Sequence, residues 1–278
     1  MARFRTLEFN DDRHDDGASP RPAAADAALA DAALDTHRDT AAREVRDEQF
    51  HMRAADEQYQ QARFEQALRL YSRALESNPN LDSAWVGQVR MLIEMGELKE
   101  ANVWADRALE VFPGHGELLA AKGVVAARLG DRRKSLEFSD AAAASREAGR
   151  TYVWLARGEV LLATRRKNVD FVLEKALSIA RDWFTTLLVA RIYYFYRHYA
   201  RALVHAREAL DANMLSPFAW LVQGNCQEAL AMTAKARESY RQALALDPDF
   251  EPAKKALSIL RPAGALAFFL APFRRLFA

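Results

Sequence analysis

The chain has 278 residues, 50% of them apolar and 28% charged, with 39 Lys and Arg against 38 Asp and Glu. A formal net charge of +1 gives no electrostatic footprint for a nucleic acid, which argues against that class of partner. The single cysteine, Cys226, excludes an internal disulfide framework and suits a reducing compartment, so a cytoplasmic location is expected, including the inner face of a membrane.

Residues 1–47 hold eleven acidic and seven basic side chains, the DDGASPRP stretch and an Ala-rich run with little large apolar surface. A flexible arm grading into helix near Thr40 is expected here. The first twenty residues lack a continuous apolar segment, so no cleaved secretory leader is expected.

From residue 48 the apolar residues return every three or four positions, which is a helical period. Residues 48–81 place His51, Ala55 and Tyr59 on a first helix and Phe64, Ala67, Tyr71, Ala74 and Leu75 on a second, before Asn78-Pro79. Residues 82–115 repeat the pattern through Trp85, Val89 and Leu92, then Gly96 at a turn, then Leu98, Ala101, Ala105 and Ala108, before Phe112-Pro113. A shift of 34 places superposes Ala67 on Ala101, Ala74 on Ala108, Leu75 on Leu109 and Pro79 on Pro113. Small residues recur because two helix axes approach closely only where a small side chain meets the facing ridge. Proline then stops the second helix.

Four more copies follow. Residues 116–150 keep Gly123 and Gly130 but have Ser135 and Ser139 at small positions and Glu147 where proline is expected. Residues 151–182 carry Trp154, Gly158 and Leu161, then a basic TRRKN turn and a second helix through Val169, Val172, Ala176 and Leu177 that is one residue short. Residues 183–216 contain an aromatic cluster, RIYYFYRHY, and residues 217–250 are a clean copy with Trp220, Gly224, Ala236, Tyr240, Ala243 and Pro248. Residues 251–261 read as a closing helix that covers the last apolar face.

This period, with a large residue at the fourth position, Gly or Ala at the eighth, Ala at the twentieth and twenty-seventh and Pro at the thirty-second, resembles the tetratricopeptide repeat family over residues 48–250. The resemblance implies an all-α, right-handed α-solenoid of helix-turn-helix repeats that acts as a noncatalytic scaffold or adaptor for a protein or peptide partner. It also implies that the first helix of each repeat lines a concave groove. The residues expected to bind the partner there are Arg90, Tyr152, Glu159, Phe184, Arg191, Tyr194, Phe195, Phe218, Leu221 and Asn225, and the same family positions include Tyr59, Glu94 and Arg128. Met52 and Asp56 stand where a clamp for a terminal carboxylate would need Lys and Asn, which argues against that class of partner. The aromatic residues of the groove have a second reading, as packing between adjacent repeats.

Residues 262–278 form an apolar C-terminal tail too short to span a bilayer. Phe268, Phe269, Leu270, Phe273 and Phe277, beside Arg274 and Arg275, suit a peripheral membrane contact, a fold-back onto the last repeat or insertion into a partner. A membrane-associated assembly or biogenesis factor is therefore one alternative function, and a regulatory subunit of an enzyme complex is another.

No cofactor and no metal are expected. The six histidines are scattered, Cys226 lacks a locally spaced activating partner, and no phosphate-binding loop or dinucleotide fingerprint is present.

Overall fold

The computed structural model describes residues 48–260, and the regular structure among them is entirely helical. The hairpins run in order: α1 (48–60) with α2 (Phe64–Ser77), α3 (Asp82–Met95) with α4 (Leu98–Val111), and α5 (Gly116–Arg128) with α6 (Arg132–Ala143). They continue with α7 (Thr151–Ala163) and α8 (Val169–Ile179), α9 (Trp183–Phe195) and α10 (Tyr199–Ala212), and α11 (Pro217–Ala229) and α12 (Thr233–Leu246), followed by α13 (Glu251–Ile259). Stacked helix pairs of this kind form an all-α repeat solenoid, as the periodicity predicts.

Local chemistry explains where the helices start and stop. Gly96 ends α3 with φ 81°, a left-handed conformation that costs a residue without Cβ little. Asp182 caps α9 by accepting from the backbone N–H groups of Phe184 and Thr185, and Ser216 caps α11 ahead of Pro217. In the third copy, which lacks the expected proline, the chain turns through a 3-10 segment, Arg146–Gly149. There the Glu147 carboxylate accepts from the Gly116 N–H at 2.8 Å, so it satisfies the start of α5.

The small residues sit where the helices cross. Ala67, Ala101, Ala202, Ala206, Ala236 and Ala243 are fully buried. Gly224 on α11 lies so close to α12 that an added Cβ would stand 2.3 Å from the Tyr240 ring. The fourth hairpin is the irregular one, because α8 has 11 residues where α2, α4, α10 and α12 each have 14.

Successive first helices touch along the inner side, α3 to α5, α5 to α7, α7 to α9 and α9 to α11. The stack then curves back on itself. Tyr59 at the end of α1 meets Phe184 of α9 edge-on at 4.9 Å, and Phe64 of α2 meets Phe218 of α11 at 6.0 Å. Arg63, between α1 and α2, pairs with Asp247 at the end of α12 at 3.0 Å. The aromatic residues at this seam therefore join the first hairpin to the fifth and sixth. Phe218 also lies against Arg191 of the neighbouring fifth hairpin, so it packs between adjacent repeats as well as across the seam.

Among the described residues no helix is long and apolar enough to cross a membrane.

Candidate functional site

The inner helices enclose a cavity of about 540 Å³. Three arginines and two glutamates line it: Arg90 and Glu94 from α3, Arg128 from α5, Glu159 from α7 and Arg191 from α9. The register explains why. Glu94 and Arg128 occupy equivalent places at the ends of consecutive first helices, so helices that stack in parallel bring their last turns to the same rim.

The two glutamates are matched. Arg191 donates to Glu94 at 2.5 Å, and Arg128 donates to Glu159 at 2.7 Å and to the Ile93 carbonyl at 3.0 Å. Burial alone would raise the Glu94 carboxyl, but the Arg191 guanidinium, with Arg128 and Arg90 beyond it, holds it below the usual carboxylate range. Burial first, and then Glu94, pushes the Tyr59 phenol up to about 12. Tyr59 thus keeps its proton and donates it to Glu94 at 3.2 Å, while its oxygen accepts from Arg90 at 3.3 Å.

Aromatic faces hold the cations in place. Arg191 lies 5.0 Å from the Phe218 ring and 5.5 Å from that of Phe64, Arg128 lies 4.5 Å from Phe195, and Arg90 lies 4.2 Å from Tyr152 and 5.1 Å from Tyr59.

Two segments of the chain, residues 58–125 and 219–250, match models of the tetratricopeptide repeat. Both segments carry tetratricopeptide repeats. Among solved structures it is similar to TTC0263 of Thermus thermophilus, at 21% identity over 66% of this chain and 99% of that one, with a TM-score of 0.49. A tetratricopeptide repeat protein from Parabacteroides merdae shows 17% identity over 76% of this chain and 83% of that one, also at 0.49. The Cut9-Hcn1 hetero-tetramer of APC/C shows 16% identity over 72% of this chain at 0.46, and there the match spans 40% of that chain's length. No curated protein matches the sequence.

Nine of the ten residues that the tetratricopeptide pattern places in the groove line this cavity: Arg90, Tyr152, Glu159, Arg191, Tyr194, Phe195, Phe218, Leu221 and Asn225. Phe184 does not line it and packs on Tyr59 instead. The lining also takes in Phe64, which the repeat pattern assigns to a second helix and not to the groove-lining first one. It stands at the first turn of α2, and only the closure of the solenoid carries that turn inward.

Cys226 on α11 is fully buried, and burial pushes its thiol up to about 12, so it is a packing residue. Among the described residues no group of His, Cys, Asp and Glu side chains is arranged to hold a metal ion. Arg132, Arg133 and Lys134 are exposed on the first turn of α6, and Arg165, Arg166 and Lys167 are exposed on the turn between α7 and α8. Phe268, Phe269, Leu270, Phe273, Arg274, Arg275 and Phe277 lie outside the described residues, as does the N-terminal arm.

Proposed function

We propose that this tetratricopeptide-repeat protein is a noncatalytic interaction scaffold that receives a protein partner at the mouth of its central cavity. The observation that supports this reading is Phe195. It lines the cavity at the end of α9, is 53% exposed, and has Arg128 stacked 4.5 Å from its ring. A large aromatic side chain held against an arginine at the rim of a rigid concavity suits an anchoring contact, because it offers apolar area at little ordering cost. The contacts among Tyr59, Phe184, Phe64 and Phe218 hold that rim in one shape before any partner arrives.

The test is affinity capture from the native cell with wild type and F195E, followed by titration of the purified partner. A partner that binds both proteins with equal affinity would remove Phe195 from the contact and defeat the proposal.

A further inference from the structure

The cavity behind that rim holds one cation more than its own carboxylates pair. Glu94 is engaged by Arg191 and Glu159 by Arg128, and among the described residues no carboxylate lies within ion-pair distance of Arg90. Arg90 makes one hydrogen bond there, to the Tyr59 hydroxyl, although a guanidinium carries five N–H donors. Its hydrogen-bonded link to a carboxylate runs through Tyr59 to Glu94, whose other oxygen is taken by Arg191.

A second group points the same way. Tyr152, whose ring lies 4.2 Å from the Arg90 guanidinium, lines the same cavity, and its hydroxyl has no hydrogen-bond partner among the described residues. These half-buried N–H and O–H donors are free to meet an acceptor that enters the cavity. Glu117 acts on Arg90 only from beyond ion-pair distance, so the acceptor that would pair directly with this guanidinium is an anion.

Apart from Asn225 and Tyr194, the rest of the lining is largely apolar, including Ile93, Leu155, Leu188, Ile192, Leu221 and Val222. The volume, about 540 Å³, falls inside the range of small-molecule sites, roughly 300–1,000 Å³. The seam between the first hairpin and the fifth and sixth closes one side of the groove, along which an extended peptide would otherwise run.

We infer that the central cavity is a binding site for a small organic monoanion with an apolar body, its acid group held by Arg90 and Tyr152. This goes beyond protein binding at the rim and stands if that reading fails, because it concerns the purified chain alone.

Dodecanoate, below its micellar concentration, is a probe of that chemistry, and dodecylammonium is its charge-reversed control. Isothermal titration is expected to show one dodecanoate bound per chain and no dodecylammonium. Arg90→Gln is expected to weaken dodecanoate at least tenfold, and Arg90→Lys to retain most of the affinity. Failure of wild type to bind dodecanoate, equal binding of both amphiphiles, or unchanged affinity in folded R90Q overturns the inference. Should R90Q not fold, as judged by circular dichroism, Leu221→Trp keeps Arg90 and fills the apolar side of the cavity. Binding must then be lost, and unchanged dodecanoate affinity in that variant overturns the inference as well.

Discussion

Arg191 on α9 and Glu94 on α3 stand 97 positions apart in the sequence, and their side chains meet at 2.5 Å. One belongs to the second hairpin and the other to the fifth, so the ion pair reports the curvature of the whole array. Both side chains are mostly shielded, at 23% and 14% exposure. Removing one partner leaves the other charge poorly solvated. Glu94→Gln is expected to cost about 2–3 kcal/mol in urea denaturation, and the double variant with Arg191→Met less than the two single losses added together.

The same pair sets a pH dependence. The folded Glu94 carboxyl lies below its unfolded value of about 4.3, so the unfolded chain binds the proton first as pH falls. Stability from this group is complete above that value and is lost as pH drops through the lower, folded value. The stability difference between wild type and E94Q should therefore stay constant from neutral pH down to about 5 and shrink below that, as read by thermal unfolding across a pH series.

Phe218 and Phe195 are both aromatic groove positions, but they answer to different forces. Phe218 is 4% exposed and packs on Phe64 and Arg191, whereas Phe195 is 53% exposed. Phe218→Ala should cost about 3–5 kcal/mol of stability, and Phe195→Ala no more than about 0.5 kcal/mol. Chemical denaturation of the two variants separates seam from rim.

Gly224 and Gly123 hold the same position in the sixth and third repeats. A Cβ at Gly224 would lie 2.3 Å from the Tyr240 ring, while at Gly123 the nearest atom is the Ser135 carbonyl at 3.4 Å. Gly224→Ala is expected to destabilise by about 1–3 kcal/mol through overpacking. Gly123→Ala should be neutral or gain up to about 1 kcal/mol from helix propensity. Melting curves of the two variants should move in opposite directions or differ clearly in size.

Cys226 is fully buried with a raised thiol pKa, so iodoacetamide at pH 8 should leave the native chain unmodified and label it once on denaturation. Mass spectrometry reads the difference directly. Stoichiometric labelling of the native protein would contradict the buried position.

The repeat period determined the helices, because a 34-residue recurrence of small and apolar residues is local information. Ala101 and Ala108 speak for close helix crossings without any structure, and the groove positions are what the resemblance to the tetratricopeptide repeat implies. Nine of those ten residues do share one cavity, since helical register is a short-range property. Pairing across the array is not short-range. Nothing around Arg191 names Glu94, nothing around Phe184 names Tyr59, and Phe64 reads only as a packing residue of a second helix. The rotation between neighbouring hairpins is a small angle set by side-chain packing, and it accumulates over six copies. Only the tertiary structure decides that the sum brings the first hairpin against the fifth and sixth, closes the groove into a cavity, and leaves Arg90 inside it with no carboxylate at ion-pair distance among the described residues.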